Sequence, residues 1–418
     1  MVTAPATTAT YEHRLRSDVA AALDALVADG CNETASPTEL FAALPGFWPP
    51  DVLRTLDRLT SEADGAHDTV RRAVAARLAA ALRADRDDDG DHGDPVRLLL
   101  PVPHPLDADW RFAALARERL LARAADAASG TCVLLGTPTV FAHLCCQLDL
   151  REVVLVDRSD AAVRAAAALA AGHSRLRAVR ADLGAGNAGL PPGEAGVVAA
   201  DPPWYRPEQA AFLRAAARAL RPDGSLLLAA SPAGSRPSGP ADRDELLADA
   251  DGCGLRLEET VPSELPYSSP PFERAALAAA GTPGTPTSWR SADLLVLRRS
   301  RSSRLPSIPP RSARPPWKEA VAGRARVRAQ DRGDRGAAPS VMPAVTGGIS
   351  ADVSRRSANR TLANVWTTGN GAWTASGPGA ARLVLASIRD GEERLDGADA
   401  LLAALGLEKQ LLGRWGWA

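Results

Sequence analysis

The residues best placed to do chemistry in this sequence are Asp201-Pro202-Pro203-Trp204. They follow the apolar run Val197 to Ala200, which reads as a buried strand. Two prolines stiffen the turn and remove two backbone donors. The freed carbonyls and the Asp201 carboxylate can then accept hydrogen bonds from a substrate amine. Trp204 offers a flat face for stacking or a cation–π contact. Asp201, Pro202 and Trp204 are therefore the candidate catalytic group, and Pro203 and Tyr205 continue it on the acceptor side.

Three further positions fit the binding of a nucleoside. Gly136 and Thr137 directly follow the apolar run Cys132 to Leu135, and a helix is expected after them. A glycine there lets the backbone turn and approach a ligand, and a helix N-terminus favours negative charge. Only Gly136 of the usual glycine-rich fingerprint is present. Asp157 closes the next apolar run, where an acid commonly holds the two ribose hydroxyls of an adenosine-containing cofactor; capping the next helix beside Ser159 is its alternative role. Asp182 follows the third strand, on the adenine side of the same geometry.

Two loops join the candidate site. The segment His104 to Trp110 precedes the first of these strands, and Asp107 and Asp109 in it are suited to holding a cation near the mouth. A helix cap beside a packed Trp110 explains the same residues equally well. Ser269-Pro270-Pro271-Phe272 repeats the proline-aromatic pattern without a preceding strand, so it is expected to form a substrate-side loop with Tyr267.

These residues need a frame. Strands expected at 132–135, 152–156, 177–180, 197–200 and 225–230 alternate with helices at 139–148, 160–171, 207–220 and 242–250, which predicts a parallel, doubly wound sheet. Strands near 255–260 and 293–298 lack an intervening helix and suit an antiparallel edge, and Leu98 to Leu100 reads as a short extended entry. Residues 1–84 are expected to be helical, with Ser36-Pro37 and Pro49-Pro50 starting helices. Tight turns there are compatible with a winged helix, but no helix shows an arginine-studded face, so a capping or dimerisation domain is the expectation, and a homodimer is compatible with it. Residues 85–95 form an acidic linker and 96–300 the α/β domain. Residues 301–336 form a basic, proline-broken linker whose Arg324-Ala325-Arg326-Val327-Arg328 alternates like a strand. Residues 337–418 are expected to be a small β-rich domain, with Leu383-Val384-Leu385 among its apolar segments and a closing helix at 395–412.

The 418 residues carry 49 basic and 50 acidic side chains, so no net charge drives the chain toward nucleic acid or membrane. Nucleic-acid binding by the arginines of 298–336, or by Arg355, Arg356 and Arg360, is allowed by their charge but not favoured. Five scattered cysteines form no metal-spaced cluster and favour a reducing, cytoplasmic setting. No metal site, signal peptide or membrane span is expected.

Over about residues 96–300 the chain resembles the class I S-adenosylmethionine-dependent methyltransferases, and more narrowly their amine-modifying members with a D/N/S-P-P-aromatic motif, through Leu134 to Thr139, Asp157, Asp182 and Asp201 to Trp204. Arg221-Pro222-Asp223-Gly224 matches a common turn of that family. The helical N-terminal part, the Leu-Gly turn, Asp157 and Asp201-Pro202-Pro203 are also similar to the branched-chain polyamine synthases. Those enzymes have consecutive aspartates where this chain has Thr137-Pro138-Thr139. The resemblance implies a Rossmann-like methyltransferase-type fold, S-adenosylmethionine or its decarboxylated form as donor, and a small or polymer-borne amine as acceptor. Transfer would be of a methyl or an aminopropyl group, with Asp201 orienting the amine. A non-catalytic scaffold binding nucleic acid or protein is the rival reading.

Overall fold

The computed structural model describes residues 4–31, 33–61, 67–85, 94–127, 130–146, 152–185, 190, 192–300, 317–331 and 338–417. The chain opens with α1 (Ala4–Ala28), α2 (Pro37–Ala43), α3 (Pro49–Ser61) and α4 (His67–Arg83). Ser36 caps α2 as expected: its hydroxyl accepts from the Glu39 amide while the Glu39 carboxylate accepts from the Ser36 amide. Among the described residues up to 85 there is no strand, so the winged-helix alternative has no wing. The helices instead share a core (Leu23, Leu40, Leu56, Leu78) that takes in Leu277 and Trp289 of the next unit. Burying those two side chains ties the helical part to the α/β sheet.

The α/β unit runs β1 (Arg111–Phe112), α5 (Ala114–Ala127), β2 (Thr131–Leu135), α6 (Pro138–Cys145), β3 (Val153–Asp157), α7 (Asp160–Leu169), β4 (Leu176–Arg180), β5 (Ala195–Ala200) and α8 (Arg206–Ala219). It continues through β6 (Leu220–Ala230), α9 (Gly239–Gly252), β7 (Leu255–Ser268), α10 (Pro271–Ala279) and β8 (Ser291–Arg299). The sheet order is β1-β7-β8-β6-β5-β2-β3-β4. Strands β2 to β6 are parallel, and β8 and β7 form the expected antiparallel edge. This is a doubly wound, Rossmann-like sheet with an antiparallel edge.

The central strands are buried on both faces, as continuous apolar runs require, and separate cores cover the two sides. Alanine supplies much of the close packing: Ala211, Ala215, Ala216, Ala217 and Ala219 of α8 are all buried. The chain goes from β2 out to β4 and returns to β5 on the other side of β2. The reversal opens a crevice at the carboxyl ends of β2 and β5, where α/β sheets bind ligands.

Four local expectations change. A helix, α10, does stand between β7 and β8, where none was expected. Leu98 to Leu100 is not a strand: residues Pro95–Leu99 form a 3-10 turn, closed because the Asp94 carboxylate accepts from the Val96 amide. Asp94 also forms a buried double bridge with Arg117, at 2.7 and 2.8 Å. The basic stretch is not all linker. β9 (Lys318–Ala322) and β10 (Ala325–Ala329) join β12 (Val365–Thr367), β13 (Ala372–Ser376) and β11 (Ser340–Pro343) in a five-stranded antiparallel sheet. Residues 301–316 and 332–337 lie outside the described residues, as does most of the acidic linker. Finally, Leu383-Val384-Leu385 is helical. It belongs to α12 (Ala380–Asp390), which is bracketed by left-handed Gly379 and Gly391 and buries Ala381, Val384, Leu385 and Ile388 at helical spacing. A three-residue apolar run does not distinguish strand from helix. α11 (Asn359–Leu362) and α13 (Ala398–Arg414) complete this unit, whose core reaches Val102 and Ala275 of the α/β part. No described helix is long and apolar enough to cross a membrane.

Candidate active site

The crevice holds two adjoining cavities. The narrow one, about 70 Å³, is lined by Gly136, Asp157, Asp182 and Phe212, together with Asp107 and Asp109. The wider one, about 410 Å³, is lined by Pro202, Trp204, Tyr205 and Tyr267, with Trp48, Arg236 and Arg290. Ala108, Trp110, Asp201 and Pro203 line both. Twelve of the thirteen residues singled out in the sequence thus meet here. Thr137 lines neither cavity; it is buried at the start of α6, and its hydroxyl has no hydrogen-bond partner.

Register explains the meeting of Gly136 and Asp201. Leu135 pairs with Ala200, so the residues after them leave the sheet side by side, and the Asp201 amide donates to the Leu135 carbonyl at 3.0 Å. Gly136 has φ +66°, and a Cβ there would lie 3.1 Å from both the Asp201 carbonyl and the Phe212 ring. Left-handed backbone costs a residue with a Cβ about 1–2 kcal/mol. Gly136→Ala is therefore expected to lower stability by at least about that much, read as the midpoint of urea unfolding, and to narrow the first cavity.

Burial dominates the two central acids. It pushes the Asp157 carboxyl up to about 7, with Asp109 and Asp107 adding to the rise and the Ser159 amide opposing it. That amide donates to Asp157 Oδ1 at 2.7 Å, so the Asx-type cap coexists with the place of Asp157 in the cavity lining. Burial likewise pushes Asp201 up to about 8, opposed by the Tyr267 hydroxyl, which donates to Oδ1 at 2.6 Å. Tyr267 is held by stacking on Phe112, with centroids 5.0 Å apart, and meets the edge of Trp204. Asp182 is exposed and caps its own loop by accepting from the Gly184 amide.

The mouth segment is fixed by the C-terminal sheet. Asp107 takes a double bridge from Arg328, at 2.6 and 2.9 Å, and Arg326 lies 3.4 Å away. Glu319 bridges the two arginines at 2.8 and 2.7 Å. Burial alone would raise the Asp107 carboxyl, but the two guanidiniums hold it well below the usual range. The cation that Asp107 holds is thus an internal one. Asp109 similarly pairs with Arg111 at 2.8 Å. β10 is a strand with an arginine face, as its alternation implied, but the face turns inward and its Arg326 and Arg328 are not available to phosphates. His104 is fully buried and burial holds it neutral. It accepts from the Leu106 amide at Nδ1, leaving Nε2 to donate to the Trp366 carbonyl at 3.2 Å.

Several lining residues had no sequence signal. Arg290 lies over the rings of Trp110, Trp204 and Trp289, at 5.1, 5.4 and 4.7 Å from their centroids. It bridges at 2.7 Å to the fully buried Glu273, which also accepts from the Trp110 indole. Glu273 follows Pro270-Pro271-Phe272, so that second proline motif acts as the start of α10, with Phe272 packed edge-on against Trp110. Trp48 comes from the N-terminal helices and Asp352 to Arg356 from the C-terminal unit. All three parts of the chain therefore build the wide cavity.

No family model matches the chain, and no curated protein does. Solved structures are similar to parts of it. A branched-chain polyamine synthase from Thermus thermophilus, in complex with N4-aminopropylspermidine and 5'-methylthioadenosine, is 16% identical over 72% of this chain and 94% of its own, with a TM-score of 0.46. An S-adenosylmethionine-dependent methyltransferase from Aquifex aeolicus is 13% identical over 49% and 93%, with a TM-score of 0.32. The YcgJ protein of Bacillus subtilis is 15% identical over 45% and 99%, with a TM-score of 0.35.

Proposed function

We propose that this chain is an S-adenosylmethionine-dependent transferase that alkylates an amine nitrogen, with methyl as the transferred group. The observation that carries the reading is the place of Asp201, where the narrow cavity beside Gly136 and Asp157 meets the aromatic cavity. The residues present suit the donor: Gly136 leaves room that a Cβ would fill, and Asp157 presents a buried carboxylate to a diol. When bound, the donor supplies a carbon already activated by a sulfonium. The amine nitrogen bonds to that carbon, the carbon–sulfur bond breaks, and its electron pair stays on sulfur.

The chain's own residues do the rest. Trp110, Trp204 and Tyr267 exclude water from the nitrogen, which leaves its lone pair free to react. Pro202 and Pro203 hold Asp201 rigidly at the strand end. The Asp201 carboxylate accepts an amine N–H, which aims the lone pair, and takes the proton as the new bond forms.

Calorimetric titration with S-adenosylmethionine and with its decarboxylated form tests the reading. Tighter binding of the carboxylated donor is expected. Preference for the decarboxylated one would instead support aminopropyl transfer, and binding of neither by the folded chain would remove the transferase reading. Affinity should also fall as pH drops below about 7, where Asp157 becomes protonated. The expected slope is up to about tenfold per pH unit, and Asp157→Asn should flatten it.

A further inference from the structure

The wide cavity is aromatic on its walls and cationic at one end. Arg236 and Arg356 both line it beside Tyr205, and Arg356 lies 5.6 Å from the centre of that ring. Most arginines around the cavity have an acid. Arg236 is bridged by Asp242 at 2.9 Å, Arg290 by Glu273 at 2.7 Å and Arg355 by Glu208 at 2.9 Å. The Asp352 charge acts on Arg360, while Asp352 Oδ1 accepts from the Ser354 amide at 2.7 Å. Among the described residues Arg356 has no ion pair. Its charge is also felt by Arg236, whose guanidinium it destabilises. Two like charges on one cavity wall, with one acid between them, favour an added anion.

A polycationic acceptor would meet the opposite environment. Of the acids lining the cavity, Asp201 is largely protonated at neutral pH and Asp352 is engaged within its own loop. Asp107 and Asp109, on the neighbouring cavity, are already paired with arginines. Among the described residues that line the wide cavity, Asp201 and Asp352 are the acids, so no row of carboxylates runs along it.

We propose that the acceptor is an amine carrying an anionic group, a carboxylate or a phosphate, which seats against Arg356 beside Arg236. Its flat or apolar body lies along Trp48, Trp110 and Trp204, and its nitrogen reaches Asp201. The inference rests on the transferase reading for the role of the nitrogen, but the anion seat exists whether or not transfer occurs.

The test is a binding series on the full chain without any donor. Para-aminobenzoate, para-aminobenzamide, para-aminobenzylamine and para-aminophenyl phosphate are titrated by calorimetry. They share a ring and differ in charge. A charge-assisted bidentate contact predicts that the carboxylate binds at least about tenfold more tightly than the neutral amide, and the cationic amine most weakly. The phosphate binding tighter still would mark a phosphate-bearing acceptor. Arg356→Ala should bring the carboxylate-to-amide ratio close to one while leaving amide affinity unchanged, and Arg356→Lys should keep part of the preference. Arg356 is exposed, so its replacement leaves the fold intact, which a matching thermal midpoint verifies. Equal binding of the three charges, preference for the benzylamine, binding of none, or a ratio untouched by Arg356→Ala would each overturn the proposal. If the anion series behaves as expected but neither sulfonium donor binds, the transferase reading fails and the anion site stands.

Discussion

Asp201→Ala is expected to lower the transfer rate by about a thousandfold or more, while donor affinity changes less than about threefold. General-base contributions of a positioned carboxylate run to about 10²–10⁴, and the same residue also orients the nitrogen. Single-turnover transfer to an arylamine, with donor affinity measured separately, reads the two effects apart. Undiminished transfer would leave Asp201 as a turn residue only. The wild-type rate should rise with pH and level off above about 8, where the buried carboxyl ionises. An arylamine acceptor is uncharged across that range, so the rise belongs to the enzyme. Tyr267→Phe removes the hydroxyl that donates to Asp201 Oδ1, so the rise should move to higher pH. A merely structural Tyr267 would leave the profile where it is.

The same burial has a consequence for stability. Asp201 and Asp157 both bind protons more tightly folded than unfolded. Their protonation favours the folded chain at low pH, and that contribution is lost as pH rises through about 7 and about 8. Asp201→Asn, which never ionises, should therefore gain thermal stability over the wild type above pH 8 even as it loses activity.

The second large effect is mechanical. Asp107→Ala should destabilise the chain by about 1–3 kcal/mol, the usual cost of removing one partner from a buried, charge-assisted hydrogen-bond network. Arg328 bears most of that cost, because it loses its double bridge to Asp107 and keeps one contact, from Nε to Glu319 at 2.7 Å. Chemical unfolding followed by tryptophan fluorescence checks it. Asp107→Leu combined with Arg328→Met should be milder than Asp107→Ala alone, since Arg326 and Glu319 still pair with each other. A midpoint unchanged by Asp107→Ala would show that the network does not hold the mouth segment. Because Asp107 and Asp109 flank Ala108, which lines both cavities, loss of the bridge should also weaken donor binding.

The sequence by itself determined the sheet and which residues stand at its edge. Continuous apolar runs such as Val153 to Val156 suit only a strand buried on both faces, and their alternation with helices leaves little but a parallel, doubly wound sheet. Gly136, Asp157 and Asp201 were legible because each stands directly after such a run, so local order placed them at one edge. Tertiary structure alone decided what surrounds them. The Arg328 side chain meets Asp107 across 221 residues of chain, and charge content cannot tell an arginine aimed at an internal carboxylate from one aimed at a phosphate. Trp48, Arg290 and Arg356 come from three different units, and no spacing rule links them. Their shared cavity arises because the N-terminal helices bury Trp289 and the C-terminal core buries Val102 and Ala275. Long-range packing of that kind is set by which apolar surfaces find cover, and it is invisible in any short window of sequence.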